Sequence, residues 1–193
     1  MNPTYELKRE HDAMTIVLDA MKRRANNIRE QNKIDLFRIG QIIGFLWTYI
    51  DQCHHKKEEK ILFPALLECE IPWATDTIHQ LVKSHRLAHG FLKEIDDKFR
   101  DYLAGRTQTL DRLPSSMFKF ISLEENHIKT VNEILLPFCD KVLNQNQQKN
   151  ISLNFRRIQD HQVAHYKHLE YYLLLNKLYS ETKIALVSDF FLV

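Results

Sequence analysis

His54 and His127 each begin a segment that reaches a proline ten residues later. In the first segment Glu58 follows His54 by four residues, so a helix would place both side chains on one face. Two helices of this kind that face each other can hold a metal ion inside a bundle. The second segment departs from the first, because Val131 occupies the position four residues after His127. The repeat therefore predicts a metal site in which the second copy lacks a carboxylate.

Four histidines fall one on each of the first four predicted helices, at His11, His54, His85 and His127. Each lies deep enough in its helix to face a common axis. A buried imidazole without a partner is costly, whereas several imidazoles around one cation satisfy each other. His89 follows His85 by four residues and is expected on the same helical face. We interpret the arrangement as a metal site rather than as unrelated core histidines.

Two neighbours of the predicted ligands are expected to lie outside the site. His55 and Glu59 are each one residue beyond a predicted ligand, so helical phase turns them away from the ligand face. Glu59 is expected in solvent, and alanine at either position is expected to leave metal binding unchanged. Imidazole together with carboxylate suits iron, zinc or manganese, and the spacing alone does not choose among them.

The composition predicts an all-α fold, because only four glycines and five prolines occur in 193 residues. Apolar residues recur at helical spacing in five stretches, which favours an up-down-up-down four-helix bundle with an additional C-terminal helix. The segment 144–150 is polar and is expected to form a loop. The predicted helices run from Pro3 to about Gln31, from Asp35 to about Cys69, from Thr75 or Thr77 to about Phe99, from Asp111 or Ser115 to about Phe138, and from about Leu153 to Tyr179.

The fifth predicted helix divides the chain into a metal-binding bundle at 1–145 and a C-terminal helical extension at 146–193. His161, His165 and His168 would share one face of this helix. A second metal site is one interpretation, but no carboxylate partner accompanies these histidines. The favoured interpretation is a helix that covers the bundle or packs against a second copy of the chain, which would form a homodimer.

Charge and hydropathy exclude several classes of protein. The net charge is +2 from 27 basic and 25 acidic residues, so no strong field indicates a nucleic-acid partner. No apolar run is long enough for a signal peptide or a membrane span, and we expect a soluble, cytoplasmic protein with no membrane partner. Cys53, Cys69 and Cys139 lack the spacing of a redox pair or a zinc site and are expected to be reduced.

A family resemblance is carried by two segments. The segment 53–66, Cys-His-His-Lys-Lys-Glu-Glu-Lys-Ile-Leu-Phe-Pro-Ala-Leu, resembles the second-helix motif of hemerythrin-like (HHE) cation-binding domains. The segment 84–89, Ser-His-Arg-Leu-Ala-His, resembles their third-helix segment. The resemblance spans about residues 4–143 and implies an up-down four-helix bundle with a non-haem di-iron centre. The metal ligands that it implies are His11, His54, Glu58, His85, His89 and His127.

Val131 is the departure from the family pattern, which has a carboxylate at this position to bridge two irons. Glu133 is out of helical phase with position 131. Glu124 lies near the correct face of the helix, but one turn too early along the chain. With one carboxylate, two divalent ions would keep uncompensated positive charge. We expect a pair of iron ions. The alternatives are an asymmetric centre, a single iron ion or zinc.

Three functions are compatible with these features. The first is a non-enzymatic iron protein that binds or senses O2 or NO, or that reports iron availability. The second is a di-iron enzyme that acts on nitric oxide or peroxide or supports iron–sulfur cluster repair. The third is a structural, metal-stabilised interaction module. We favour the first, because a histidine-rich site of this family leaves coordination positions open for a small ligand.

Overall fold

The computed structural model of the protein describes residues 2–163 and 165–182. This part of the chain contains helices and no strand, which confirms the predicted all-α class. None of its helices is long and apolar enough to cross a membrane. The helices are α1 (Pro3–Gln31), α2 (residues 36–67), α3 (Pro72–Leu103), a short 3₁₀ helix (Thr107–Arg112), α4 (residues 113–142), α5 (Gln145–Gln162) and α6 (His165–Thr182).

The first two helices begin where their capping residues predicted. The Asn2 side chain accepts a hydrogen bond from the Thr4 N–H, and Pro3 occupies the first turn of α1. The helix ends at Asn32, whose backbone is left-handed with φ 51°. The Asp35 side chain then accepts from the Arg38 N–H and starts α2.

Three predicted boundaries differ from the observed ones. Helix α3 begins at Pro72 rather than at a threonine, because proline is well suited to the first helical turn. The predicted loop at 144–150 is largely the start of α5, where Asn144 and Gln147 form a capping box. The predicted fifth helix is two helices, because the backbone is extended at Val163 (φ −114°, ψ 102°).

Helices α1 to α4 form the predicted up-down-up-down bundle, since short connections make consecutive helices antiparallel. Helices α5 and α6 pack on α1 and α2. Phe155 of α5 is fully buried, and Tyr171 of α6 stacks edge-on against Phe45 of α2 with ring centroids 5.2 Å apart. Arg24 of α1 pairs with Glu181 of α6 at 2.6 Å. The division of the chain into two domains stays a prediction.

The apolar core consists of two clusters, and the predicted ligand residues lie between them along each bundle helix. On α1, His11 lies between Leu7 of one cluster and Ala13 of the other. The corresponding flanking pairs are Leu62 and Cys53 on α2, Leu81 and Ala88 on α3, and Val131 and Ile121 on α4. The bundle therefore holds a polar layer that is closed above and below by packed apolar side chains.

Helices α2 and α4 contain π-helical turns beside this polar layer. These turns are Leu46–His54 and Glu58–Leu62 in α2, and Val131–Leu135 in α4. At the end of the first, the His55 N–H donates to the Ile50 carbonyl, five residues earlier. A π turn holds more residues than an α turn, so it changes which side chains share a face, and such turns are frequent at functional sites.

Candidate metal centre

The structure brings together five of the six side chains that the sequence predicted as ligands. One comes from α1, two from α2, one from α3 and one from α4. None is more than 4% exposed, so all five are buried within the bundle. They are His11, His54, Glu58, His85 and His127.

Carboxylates outside the cluster fix the orientation of two of these imidazoles. The Nδ1–H of His54 donates to Oε2 of Glu10 at 2.7 Å, and the Nδ1–H of His85 donates to Oε1 of Glu59 at 2.8 Å. In neutral His54 the proton lies on Nδ1 and the Nε2 lone pair points inward, and His85 presents its Nε2 inward in the same way. Metal-ligating histidines usually have an outer partner of this kind.

His11 has the same orientation, with an amide as its outer partner. Its Nδ1–H donates to Oδ1 of Asn132 at 2.7 Å, and its Nε2 lies 3.1 Å from Nε2 of His54. In the neutral form of both rings, where the outer bonds use Nδ1–H, neither inward nitrogen carries a proton to share. Two lone pairs this close repel each other unless a cation binds them.

Glu58 lies between two sets of imidazoles. Its Oε1 is 3.9 Å from Nε2 of His11 and 3.7 Å from Nε2 of His54. Its Oε2 is 3.2 Å from Nε2 of His85 and 3.4 Å from Nε2 of His127. The two carboxylate oxygens therefore lie near different pairs of imidazoles.

The cluster strongly perturbs the pKa values of its members. Burial lowers the pKa of His54 and of His127 well below the ordinary value, although Glu58 partly opposes this at His54. Burial works against ionised Glu58, but His54 and the other imidazoles outweigh it and lower its pKa to about 2. Burial also opposes protonation of His85, but Glu58 and Glu59 outweigh it and raise the pKa to about 9. Near neutral pH the folded protein therefore keeps an ionised carboxylate beside neutral His54 and His127.

His55 lies inside the polar layer, where the sequence predicted it to be turned away. It is 5% exposed, and its ring stacks on that of His85 at 3.9 Å between centroids. Its Nε2 is 3.6 Å from Oε2 of Glu124. The π-helical turns on both sides of His55 shift the phase of α2, so the strict α-helical spacing used for the prediction does not apply here.

The sequence predicted Glu59 in solvent, but the structure places its carboxylate against His85. Its side chain is 29% exposed and accepts the Nδ1–H of His85, which makes it an outer partner of the cluster. The hydrogen bond from His85 lowers the pKa of the Glu59 carboxyl. It outweighs burial, which acts to raise that pKa.

His89 is the predicted ligand that the structure does not bring to the cluster. Its side chain is 54% exposed, and its Nδ1 bonds Oδ1 of Asp51 at 2.8 Å. The buried stripe of α3 continues from His85 to Ala88 and Leu92, so the inward position one turn on is taken by Ala88. The stripe alternates spacings of three and four residues, and His89 falls beside it.

Two groups of side chains could each hold an ion, and every member of both is buried. One group is His11, His54, Glu58 and His127, and the other is His55, His85 and His127. Within each group the ligand atoms all lie within 4.8 Å of one another. The two groups share His127, and the buried layer is therefore compatible with a metal site.

The model of the hemerythrin HHE cation binding domain matches residues 2–139. The chain belongs to the hemerythrin family. No curated protein and no solved structure gives a significant match to it. The family agrees with the resemblance seen in the sequence, and the matched residues include all four helices of the bundle.

This hemerythrin domain has no carboxylate on α4 at the position where the family pattern places one. Val131 is fully buried in an apolar cluster with Leu7 and Leu62. Glu133 is exposed, whereas Glu124 is 1% exposed with Oε2 toward His55. The sequence indicated Glu124 as an imperfect substitute for the missing carboxylate, and in the structure its side chain points toward the cluster.

The buried polar atoms test whether a cation fits this hemerythrin centre. Among the imidazole and carboxylate atoms of the described residues, five with almost no accessible surface make no hydrogen bond: Nε2 of His55, Oε1 and Oε2 of Glu58, Oε2 of Glu124 and Nε2 of His127. Leaving such atoms unpaired costs free energy. All five are imidazole or carboxylate atoms in one layer, so bound metal satisfies them together.

His161 and His168 belong to neither candidate metal group among the described residues. His161 is exposed at the end of α5 and accepts a hydrogen bond on Nδ1 from the Gln162 amide at 2.8 Å. His168 lies on α6, beyond the break at Val163, so the predicted single helical face does not exist. The side chain of His165 and the segment 183–193 lie outside the described residues.

Proposed function

We propose that this hemerythrin-family protein binds a pair of iron ions and uses them to bind O2 or NO reversibly. The observation that carries the proposal is the position of Glu58. Its two oxygens face inward Nε2 atoms on opposite sides, with His11 and His54 on one side and His85 and His127 on the other. A carboxylate held in this way is suited to joining two cations.

The donor set favours iron. His11, His54, His127 and Glu58 supply three imidazoles and one carboxylate, a set of nitrogen and oxygen donors that suits non-haem iron and leaves coordination positions open. Bound iron would supply those open positions as the site for the small ligand. Thiolate is absent from both groups of described ligands, which is consistent with iron rather than a structural zinc site.

Burial limits what can bind beside the ions. The exposed fraction of the side chains around Glu58 is between 0% and 5%, and apolar clusters pack on both sides of the layer. A large substrate would have to open the bundle to reach the site. A diatomic ligand needs only a small displacement of side chains, so the closed layer favours O2 or NO over an organic substrate.

The surrounding chain holds the imidazoles in place for this task. Glu10 accepts the Nδ1–H of His54, and Lys57 donates to the other oxygen of Glu10 at 2.5 Å. Lys57 is 0% exposed, so the carboxylate is fixed between a buried cation and the imidazole. An outer carboxylate orients a ligating histidine and increases its basicity.

Anaerobic loading with Fe(II) tests the proposal. We expect plasma emission to count two irons per chain, one for each ligand group. Titration of the ferrous protein with NO should give a saturable change in the optical and electron paramagnetic resonance spectra, reversed when NO is removed. His54→Ala should abolish stoichiometric binding of iron, whereas the exposed His89→Ala should retain both irons.

Other outcomes would contradict the proposal. Zinc bound in preference to iron, with no change on addition of NO, would support a structural role. Repeated consumption of NO or peroxide by the loaded protein would support an enzyme. Removal of the metal should also lower the melting temperature, because the unpaired atoms of the layer lose their partner. An unchanged melting temperature would argue against a buried site.

A further inference from the structure

His55 and Glu124 are two buried side chains that the family pattern does not use. Nε2 of His55 and Oε2 of Glu124 lie 3.6 Å apart, and neither makes a hydrogen bond. If their role were to pair with each other, burial would be expected to bring them into hydrogen-bond contact. The separation instead leaves room for a third partner that both atoms can bind.

His85 supplies a third donor next to these two. Glu59 holds the Nδ1–H of His85, so its Nε2 is directed inward. The ring of His85 is nearly parallel to that of His55, with an interplanar angle of 13°. The ligand nitrogens of His55 and His85 lie within 4.8 Å of each other, in one group with His127. The two imidazoles therefore converge on one place, and Glu124 lies beside the His55 nitrogen of that pair.

This second set repeats the chemistry of the first. His11, His54 and Glu58 come from α1 and α2, whereas His55, His85 and Glu124 come from α2, α3 and α4. Each set contains two imidazoles and one carboxylate. Glu58 lies between the sets, because its Oε2 is 3.2 Å from Nε2 of His85.

The charge of the site also requires a second carboxylate. Two divalent ions beside Glu58 alone would keep most of their positive charge in a buried layer, which is unfavourable. Val131 cannot reduce that charge, whereas Glu124 is 1% exposed on the same helix. Glu124 lies about one turn of α4 before His127, whereas Val131 lies about one turn after it.

We propose that His55, His85 and Glu124 hold the second metal ion, with Glu124 replacing the carboxylate that is missing at Val131. This inference rests on the proposed iron-pair function and assigns the ligands of its second position. The two metal positions then differ in their ligands. One uses the His-x-x-x-Glu segment of His54 and Glu58, and the other uses His55, His85 and Glu124.

The test counts iron in Glu124→Gln beside a matched control. Glu125→Gln changes the next residue, which is 50% exposed and pairs with Lys22 at 3.7 Å. We expect one iron per chain in Glu124→Gln and two in Glu125→Gln and in wild type. Mössbauer spectra of ⁵⁷Fe-loaded protein should show a coupled pair in wild type and a single uncoupled site in Glu124→Gln. His55→Asn should give the same loss of one iron.

Unfolding of the metal-free proteins separates ligation from a purely structural role. Glutamine removes an unpaired buried carboxylate, so metal-free Glu124→Gln should melt at the same temperature as metal-free wild type or higher. A lower melting temperature, or two irons in Glu124→Gln, would overturn the inference and leave the iron pair intact. A wild type that holds no iron would instead overturn the proposed function, and the second-site assignment with it.

Discussion

Lys57 carries a positive charge in the interior and provides a test of the network that supports the metal layer. Its Nζ donates to Oε1 of Glu10 at 2.5 Å, Oε1 of Glu6 at 2.7 Å and Oε1 of Gln159 at 2.9 Å. Burial alone would lower its pKa, but Glu10 and then the other negative groups outweigh burial and raise it above the ordinary value. The ammonium group is therefore charged in the folded protein and is held by α1 and α5.

Replacement of Lys57 by methionine keeps a flexible side chain and removes the charge. The loss of one partner from a buried ion pair costs about 3–5 kcal/mol, because the remaining charge stays buried without compensation. The side chain of Glu10 is 6% exposed and that of Glu6 is 15% exposed, so only Glu6 can regain water easily. We therefore expect the lower end of this range, about 3 kcal/mol.

Urea unfolding of the metal-free protein measures this change, and Lys56→Met is the control. Lys56 is the adjacent residue, and its Nζ bonds only to the amide oxygen of Gln162, at 3.3 Å, among the described hydrogen bonds. Its replacement should cost less than about 1 kcal/mol. In Glu10→Gln, which keeps an oxygen for His54, the Lys57→Met substitution should cost clearly less than it does in wild type. A loss below about 1 kcal/mol for Lys57→Met, or full additivity in the double mutant, would refute the buried-pair reasoning.

Two further predictions concern pH and Val131. The metal-free protein should be most stable near pH 6.5, the ordinary imidazole pKa. Below this pH the unfolded chain binds protons at His54 and His127 that the folded protein does not, so stability falls as the pH falls. Above it the unfolded chain loses the proton of His85 while the folded protein keeps it until about pH 9, so stability falls as the pH rises. Urea midpoints across this range measure the effect, and a monotonic rise from pH 5 to 9 would contradict it. Val131→Glu should destabilise the protein and leave the iron count at the wild-type value, since the new carboxylate enters an apolar cluster and Glu124 already supplies the charge. Thermal melting and plasma emission measure both quantities, and an increased iron count would contradict the role of Glu124.

The helical fold and its main ligands were predictable from local sequence. Asn2 and Asp35 cap helices as ordinary N-cap residues, and the apolar spacing on each helix is visible without knowledge of the partners. His54 and Glu58 share a face because four residues span about one helical turn. These features depend on residues close together in the chain, so the sequence contains them directly.

The burial of His55 and the exposure of His89 depend on the tertiary structure. Helical phase predicted His55 turned away from the buried layer and His89 turned toward it, whereas His55 is buried in that layer and His89 is exposed. The π-helical turns that bring His55 inward form within the packed bundle, and a regular 3.6-residue period does not reveal them. His89 has the right spacing from His85, but the packing of α3 directs Ala88 inward.

Glu124 shows the same limit for contacts between helices. Its distance along the chain from His55 is large, and no local pattern relates the two residues. Their approach to 3.6 Å follows from how α2 and α4 face each other across the polar layer. The sequence by itself determined the four helices of the bundle and indicated a metal site between them. The three-dimensional packing decided which side chains enter that site, because burial and the relative placement of helices are properties of the whole bundle.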